Sequence, residues 1–174
     1  MERGKKLPLV TPSGPVPGPA VGAAPGNDTY TGCFRHMTDD KGRITIPAEW
    51  RSGHEGANNR FLAAPSPDGC IMVLPPPEIE KINAKFSAIK LHDAGGQALA
   101  ASFYSKMQRL AFDAQGRITV NAGLLVHAGI GLGEEVVLAG SGAMFKLYSP
   151  GRWAQVEQKT AGENFGDLMR RLDL

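Results

Sequence analysis

The sequence is poor in the residues that cross-link chains or bind metals. It holds two cysteines, Cys33 and Cys70, in 174 residues. A disulfide scaffold uses more, and no Cys-x-x-Cys pair offers itself to a metal. Two buried, reduced thiols are expected. The four histidines, His36, His54, His92 and His127, match neither His-Glu-x-x-His nor any mixed His/Cys zinc spacing, so neither a metal nor another cofactor is expected. Long apolar runs are also missing. None reaches the ~18 residues of a membrane span, and Pro and Gly, not an apolar stretch, follow the basic residues near Met1. A cytoplasmic protein with no membrane partner is expected. Gly129-Ile130-Gly131-Leu132-Gly133 lacks the Lys-Ser/Thr of a phosphate loop and reads as a connection, which leaves no small-molecule substrate indicated. Charge of one sign is scarce too, with a net charge of +2. Nucleic-acid binding cannot be argued from so small a total and would need a local basic face.

What the sequence does have is an ordinary folding composition, 42% hydrophobic and 21% charged, and an internal repeat. Residues 1–28 read as a flexible tail, because Val10 to Gly26 is dense in Pro and Gly. Beyond it, residues 35–48 superpose on 109–122 at an offset of about 74 positions. Arg35 meets Arg109, Asp39 meets Asp113, Gly42 meets Gly116, and Arg43-Ile44-Thr45 meets Arg117-Ile118-Thr119. Further along, Ile71 and Val73 fall opposite Phe145 and Leu147. The repeat divides the chain into a first unit at 29–91, a helical linker at 92–104 and a second unit at 105–174.

Each unit predicts the same elements. A strand (31–37; 108–112) leads into a tight Asp-x-x-Gly turn, where glycine supplies a positive φ. A short β-branched strand follows at Arg43–Ile46 and Arg117–Val120. Next comes a short helix, opened by Pro47 in one unit and by the N-cap Asn121 in the other, the second ending at Gly129. A hairpin closes each unit, at 61–64 with 70–74 and at 135–139 with 144–149. Helices trail the hairpins, from Pro77 to about Ile89, from Gln97 to Lys106 after Gly95-Gly96, and from Pro150 onward with breaks at Gly162 and Gly166. One such unit is too small to bury both faces of a sheet. Two paired copies would do so, and the expected fold is α+β, mainly β: a pseudo-symmetric closed barrel with short flanking helices.

The chemistry sits in the two turns. In each, an Asp can hold the Arg four residues on and fix its aim. A guanidinium so fixed can fork to a phosphate, or to O6 and N7 of guanine. Lys41, Arg35, Arg109, Arg51 and Lys106 lie nearby in sequence and are candidates for added phosphate contacts. The other reading of the same residues is a plain surface salt bridge across a turn, of little energetic weight. The residues alone leave the two about equal. An aspartic-protease-like pair is disfavoured, because Asp40-Lys41 and Ala114-Gln115 replace the Thr/Ser-Gly such a site uses. The adjacent Arg would also keep each Asp ionised. Trp50 and Trp153 are read as packing residues.

At these residues the chain resembles the MraZ family, built from two AbrB-type swapped-hairpin units. The resemblance rests on Asp39-x-x-Gly42-Arg43-Ile44-x-Ile46-Pro47, Asp113-x-x-Gly116-Arg117-Ile118, Ala128-Gly129-Ile130, Glu135 to Gly140, and Phe145 to Tyr148 running on to Trp153. It covers roughly 29–160. The chain departs from the family in having Asn121 after the second β-segment and in the uncharged Leu124-Leu125-Val126 of the second short helix. The resemblance implies a non-enzymatic, nucleoid-associated transcription regulator of the division and cell wall gene cluster. Its partners would be promoter repeats in double-stranded DNA and further copies of itself in a ring. Arg43 and Arg117 are the implied DNA contacts, with Asp39, Gly42, Asp113 and Gly116 in support. A structural oligomerisation module without DNA binding is the alternative.

Overall fold

Two strands of three residues each, at the centre of the chain's repeat, organise everything else. In the computed structural model, which describes residues 29–173, these are β2 (Arg43–Thr45) and β6 (Arg117–Thr119). They pair antiparallel with Ile44 opposite Ile118, so a pseudo-two-fold axis passes between those residues. The expected tail at 1–28 lies outside the described residues.

The remaining strands are β1 (Cys33–Met37), β3 (Phe61–Pro65), β4 (Ile71–Leu74), β5 (Gln108–Leu110), β7 (Glu135–Gly140) and β8 (Phe145–Tyr148). They form one six-stranded sheet in the order β1-β7-β8-β4-β3-β5. β1 pairs with β7 and β5 with β3, so each repeat lends its first strand to the other repeat's hairpin. The central partners are the last strands of the two hairpins, β4 and β8.

The fold is thus mixed α+β with the core built on sheet, but the expected barrel does not close. The six-stranded sheet ends on β1 and β5, and β2–β6 forms a separate two-stranded layer over one face. Among the described residues, an isolated bridge from Thr38, just past β1, to Ile44 links the end of β1 to that layer.

The main core lies between the two layers. Ile44, Ile46, Ile118 and Val120 from one side meet Phe61, Ile71, Val73, Val136, Leu138, Phe145 and Leu147 from the other. Such apolar burial supplies the folding drive. Trp50 belongs to this core: it packs edge-on to Phe34 and Tyr30, and its indole donates to the Thr31 carbonyl at 3.0 Å. It comes from α1 (Ala48–Arg51), whose counterpart is α4 (Ala122–Ala128). α4 begins as the sequence predicts, with the Asn121 side chain accepting from the Leu124 N–H. It ends at Gly129 with φ +64°, the left-handed stop that glycine allows.

The outer face of the large sheet carries a smaller apolar cluster of Cys70, Val137, Ala139 and Tyr148 under Trp153 and Val156 of α5 (Pro150–Thr160). Cys70 is buried as expected, but Cys33 is exposed, because β1 is an edge strand and Cys33 lies on its outward-facing side. α2 (Pro76–Ser87) and α3 (Ala94–Tyr104) form a hairpin joined by Phe86 against Phe103 and Tyr104. α3 starts ahead of the glycine pair rather than after it. The Asp93 carboxylate accepts from the Gly96 N–H at 3.0 Å, and this cap overrides the weak helical preference of glycine. The last helix is α6 (Phe165–Arg171). None of the helices among the described residues is long and apolar enough to cross a membrane.

Candidate functional site

The two Asp-x-x-Gly-Arg turns are built alike. Asp39 Oδ1 accepts from the backbone N–H groups of Lys41 and Arg43, both at 2.9 Å, and Oδ2 accepts from Arg43 Nε. Asp113 Oδ1 accepts from the N–H groups of Gln115 and Arg117, again at 2.9 Å, and its Oδ2 accepts from Arg117 Nε at 2.8 Å. In each turn the glycine N–H donates back to the Asp carbonyl, and the Asp N–H donates to the Arg carbonyl. Each Asp is therefore a hub for two backbone amides and one guanidinium. The Arg43 amide, its guanidinium and the Lys41 amide hold the Asp39 carboxyl down at about 2. Asp113 is lowered by the same set of donors, the Arg117 amide first. Both stay ionised, as hydrogen bonding to the charged form requires.

The turns also fasten each other. Ile46 N–H donates to the Gly116 carbonyl and Val120 N–H donates to the Gly42 carbonyl, both at 3.0 Å. Gly42 and Gly116 sit at φ +72° and +73°, where other L-residues are strained. A Cβ on Gly42 would stand 2.7 Å from the Val120 carbonyl oxygen and press on Leu125, whereas one on Gly116 would meet the Arg51 guanidinium. Arg51 and Leu125 are repeat equivalents. Each covers the glycine of the other repeat's turn.

Further anchors hold the chain ahead of each Asp. Thr38 is buried, and its hydroxyl donates to the Gly131 carbonyl at 2.7 Å. On the other side, the Asn59 amide pairs with both backbone groups of Phe112, at 2.7 and 2.9 Å. Neither Thr38 nor Asn59 was expected as a site residue. Neither belongs to an Asp-x-x-Gly-Arg turn, and both reveal their roles only through long-range pairing.

The result is a two-stranded ribbon with one buried and one open face. Ile44 and Ile118 point inward, while Thr45 and Thr119 are exposed and Arg43 and Arg117 half-buried on the outer side. Arg43 stands opposite Thr119 and Thr45 opposite Arg117. The two arginines are therefore diagonal neighbours, with Cα atoms roughly 7–8 Å apart by sheet geometry. Their aim differs. Among the described residues, Arg43 gives only its Nε to a partner, leaving both terminal amino groups uncommitted. In Arg117 the Nη2 group also donates to Gln115 Oε1 at 3.2 Å.

Lys41 is exposed in the first turn, and Arg51 flanks the second. Arg35 and Arg109 do not join them. Phe34 and Leu110 face the main core, so strand alternation turns Arg35 and Arg109 to the far side of the large sheet. There Arg35 pairs with Glu135 at 2.8 Å. Proximity in sequence to the turns misplaced them. Lys106 lies between α3 and β5, outside the ribbon.

Comparison with known proteins gives the same direction. A family profile described as "MraZ protein, putative antitoxin-like" matches residues 103–174. The chain is 34% identical over 132 residues to the transcriptional regulator MraZ of Heliobacterium modesticaldum, covering 76% of this chain and 89% of that protein. It is 32% identical over 141 residues to the transcriptional regulator MraZ of Symbiobacterium thermophilum, covering 81% and 98%. The namesake from Lactobacillus helveticus is 31% identical over 144 residues, covering 83% and 96%. These relatives are named regulators, not enzymes. With such identity spread over both repeats, the chain belongs to the MraZ family of transcriptional regulators.

Proposed function

We propose that this regulator binds double-stranded DNA in a sequence-specific way through the open face of the β2–β6 ribbon. One observation carries the reading: two arginines, each aimed by its own Asp, stand diagonally on one exposed face. A two-stranded ribbon fits the ~12 Å major groove, and a guanidinium held at Nε presents its remaining donors to a guanine edge or a phosphate. Arg43 and Arg117 make the base contacts, Lys41 and Arg51 contribute phosphate contacts, and Asp39, Asp113, Gly42 and Gly116 fix the geometry. Arg35 and Arg109 take no part in this face.

The face is not strongly basic, since Asp39, Asp40 and Asp113 largely offset Lys41, Arg43 and Arg117. One copy binds weakly. Affinity then comes from several copies engaging spaced repeats, as a ring homo-oligomer does by raising effective concentration. In this reading, which the family resemblance supports, the target is promoter repeats of the division and cell wall gene cluster and the site of action is the nucleoid. Fluorescence anisotropy with a duplex from upstream of the protein's own gene, titrated at several salt concentrations, tests this. Tight binding that weakens linearly in log–log salt is expected. A folded protein that binds neither that duplex nor a genomic pool is a structural oligomer instead.

A further inference from the structure

The pseudo-two-fold relation between the turns is broken at one equivalent pair. Arg51 lies over Gly116, with its guanidinium carbon 2.4 Å from where a Cβ would stand. Leu125, its repeat equivalent, lies over Gly42. Arg51 is held by one hydrogen bond, Nε to the Ile46 carbonyl at 3.0 Å. Its two terminal amino groups make no hydrogen bond or ion pair among the described residues. Arg51 borders a cleft of about 390 Å3 beside the second turn, whose other walls include Ser52, Gly56, Asn59 and Asp113. Glu55 also lines the cleft, but it makes no ion pair with Arg51. Beside the first turn, the covering side chain is the apolar, buried Leu125.

We infer that the Arg51 cleft is a phosphate-binding subsite, present beside the second turn and missing beside the first. This rests on the DNA-binding reading above. An anchored guanidinium with free terminal donors suits a backbone phosphate oxygen. Its position next to Arg117, the arginine already tied to Gln115, divides the labour. The first turn presents an uncommitted Arg43 beside the exposed Lys41, and the second adds an anchored guanidinium over its glycine. A symmetric ribbon would sit on a duplex equally in either direction. With the grip beside the second turn only, the two ends of the ribbon make unequal backbone contacts.

The test uses the full-length protein as it assembles, with Arg51→Leu and Arg51→Gln as variants. Leu already fills the equivalent place over Gly42, and Gln can still donate to the Ile46 carbonyl. Anisotropy with the upstream duplex and with a random duplex gives the log–log salt slope for each. Loss of one phosphate contact lowers the slope by about 0.9 for each protomer engaged and weakens both duplexes by the same factor. That outcome, from either variant with unchanged melting temperature and size, supports the subsite. A slope unchanged in a folded variant overturns it while leaving DNA binding intact. Wild-type protein that shows no salt-dependent binding overturns the underlying function as well.

Discussion

Ile46 of the first repeat donates its backbone N–H to the Gly116 carbonyl of the second, 3.0 Å away, and Val120 returns the bond to Gly42. The two arginine-bearing turns are therefore one structural unit, and damage to either glycine reaches both.

The glycines are not equally demanding. Gly42→Ala drives a methyl to within 2.7 Å of the Val120 carbonyl oxygen, part of the backbone, at a positive φ. Gly116→Ala meets the far end of the Arg51 side chain, which can swing away. Both variants lose stability, by about 1–3 kcal/mol from strain at such positions, and Gly42→Ala loses more. Urea unfolding of the two side by side checks the order.

Asp39 predicts a pH dependence. Its carboxyl titrates at about 2 in the folded protein, below the ordinary 3.8, so folding favours the carboxylate. That contribution is complete above about pH 4 and is lost as the pH falls through about 2. Asp39→Asn cannot accept from Arg43 Nε and from both amides at once. The stability gap between wild type and Asp39→Asn, measured by urea unfolding, is thus open at pH 6 and closes toward pH 2. A gap constant over that range contradicts the hub role of Asp39.

Trp50 is a core residue, not a base-stacking one. It is 1% exposed and packs against aromatic rings of both repeats, Phe34 and Phe145. Trp50→Phe keeps the packing but loses the bond to Thr31, costing about 1 kcal/mol; Trp50→Ala costs about 3–5 kcal/mol. In differential scanning fluorimetry the alanine variant melts well below the phenylalanine one. Where Trp50→Phe remains folded, its affinity for DNA matches wild type.

The two arginines contribute unequally. Arg43 has both terminal amino groups uncommitted, whereas Arg117 spends one on Gln115. Arg43→Ala weakens binding to the preferred duplex by roughly tenfold to a hundredfold and relaxes base preference, the signature of a lost base contact. Arg117→Ala costs less, because its Nη2 group is held by both Asp113 and Gln115. Competition binding with single-base substitutions distinguishes the two.

Much of this was legible in the sequence, for a physical reason. Asp-x-x-Gly-Arg is a local program: the Asp caps its own turn, glycine permits the positive φ, and the β-branched residues behind it form a strand. Such signals need no distant partner, so both turns and the Asn121 and Gly129 caps could be read directly. The open sheet could not, because closure depends on whether the edge strands β1 and β5 find a second partner beyond β7 and β3. The misplaced Arg35 and Arg109 have a simpler cause. Phe34 and Leu110 commit one side of their strands to the core, and strand parity then sends the neighbouring arginines to the opposite side. Asp93 ahead of Gly95-Gly96 was a helix cap hidden by a glycine pair that reads as a breaker.

The most direct measurement is the affinity of the Arg43→Ala/Arg117→Ala double variant for the upstream duplex, beside wild type and at matched salt. The ribbon-face reading predicts that tight, salt-sensitive binding is lost while the melting temperature and oligomer size are kept. Full retention of binding by a folded double variant would contradict it and move the DNA contact to another surface.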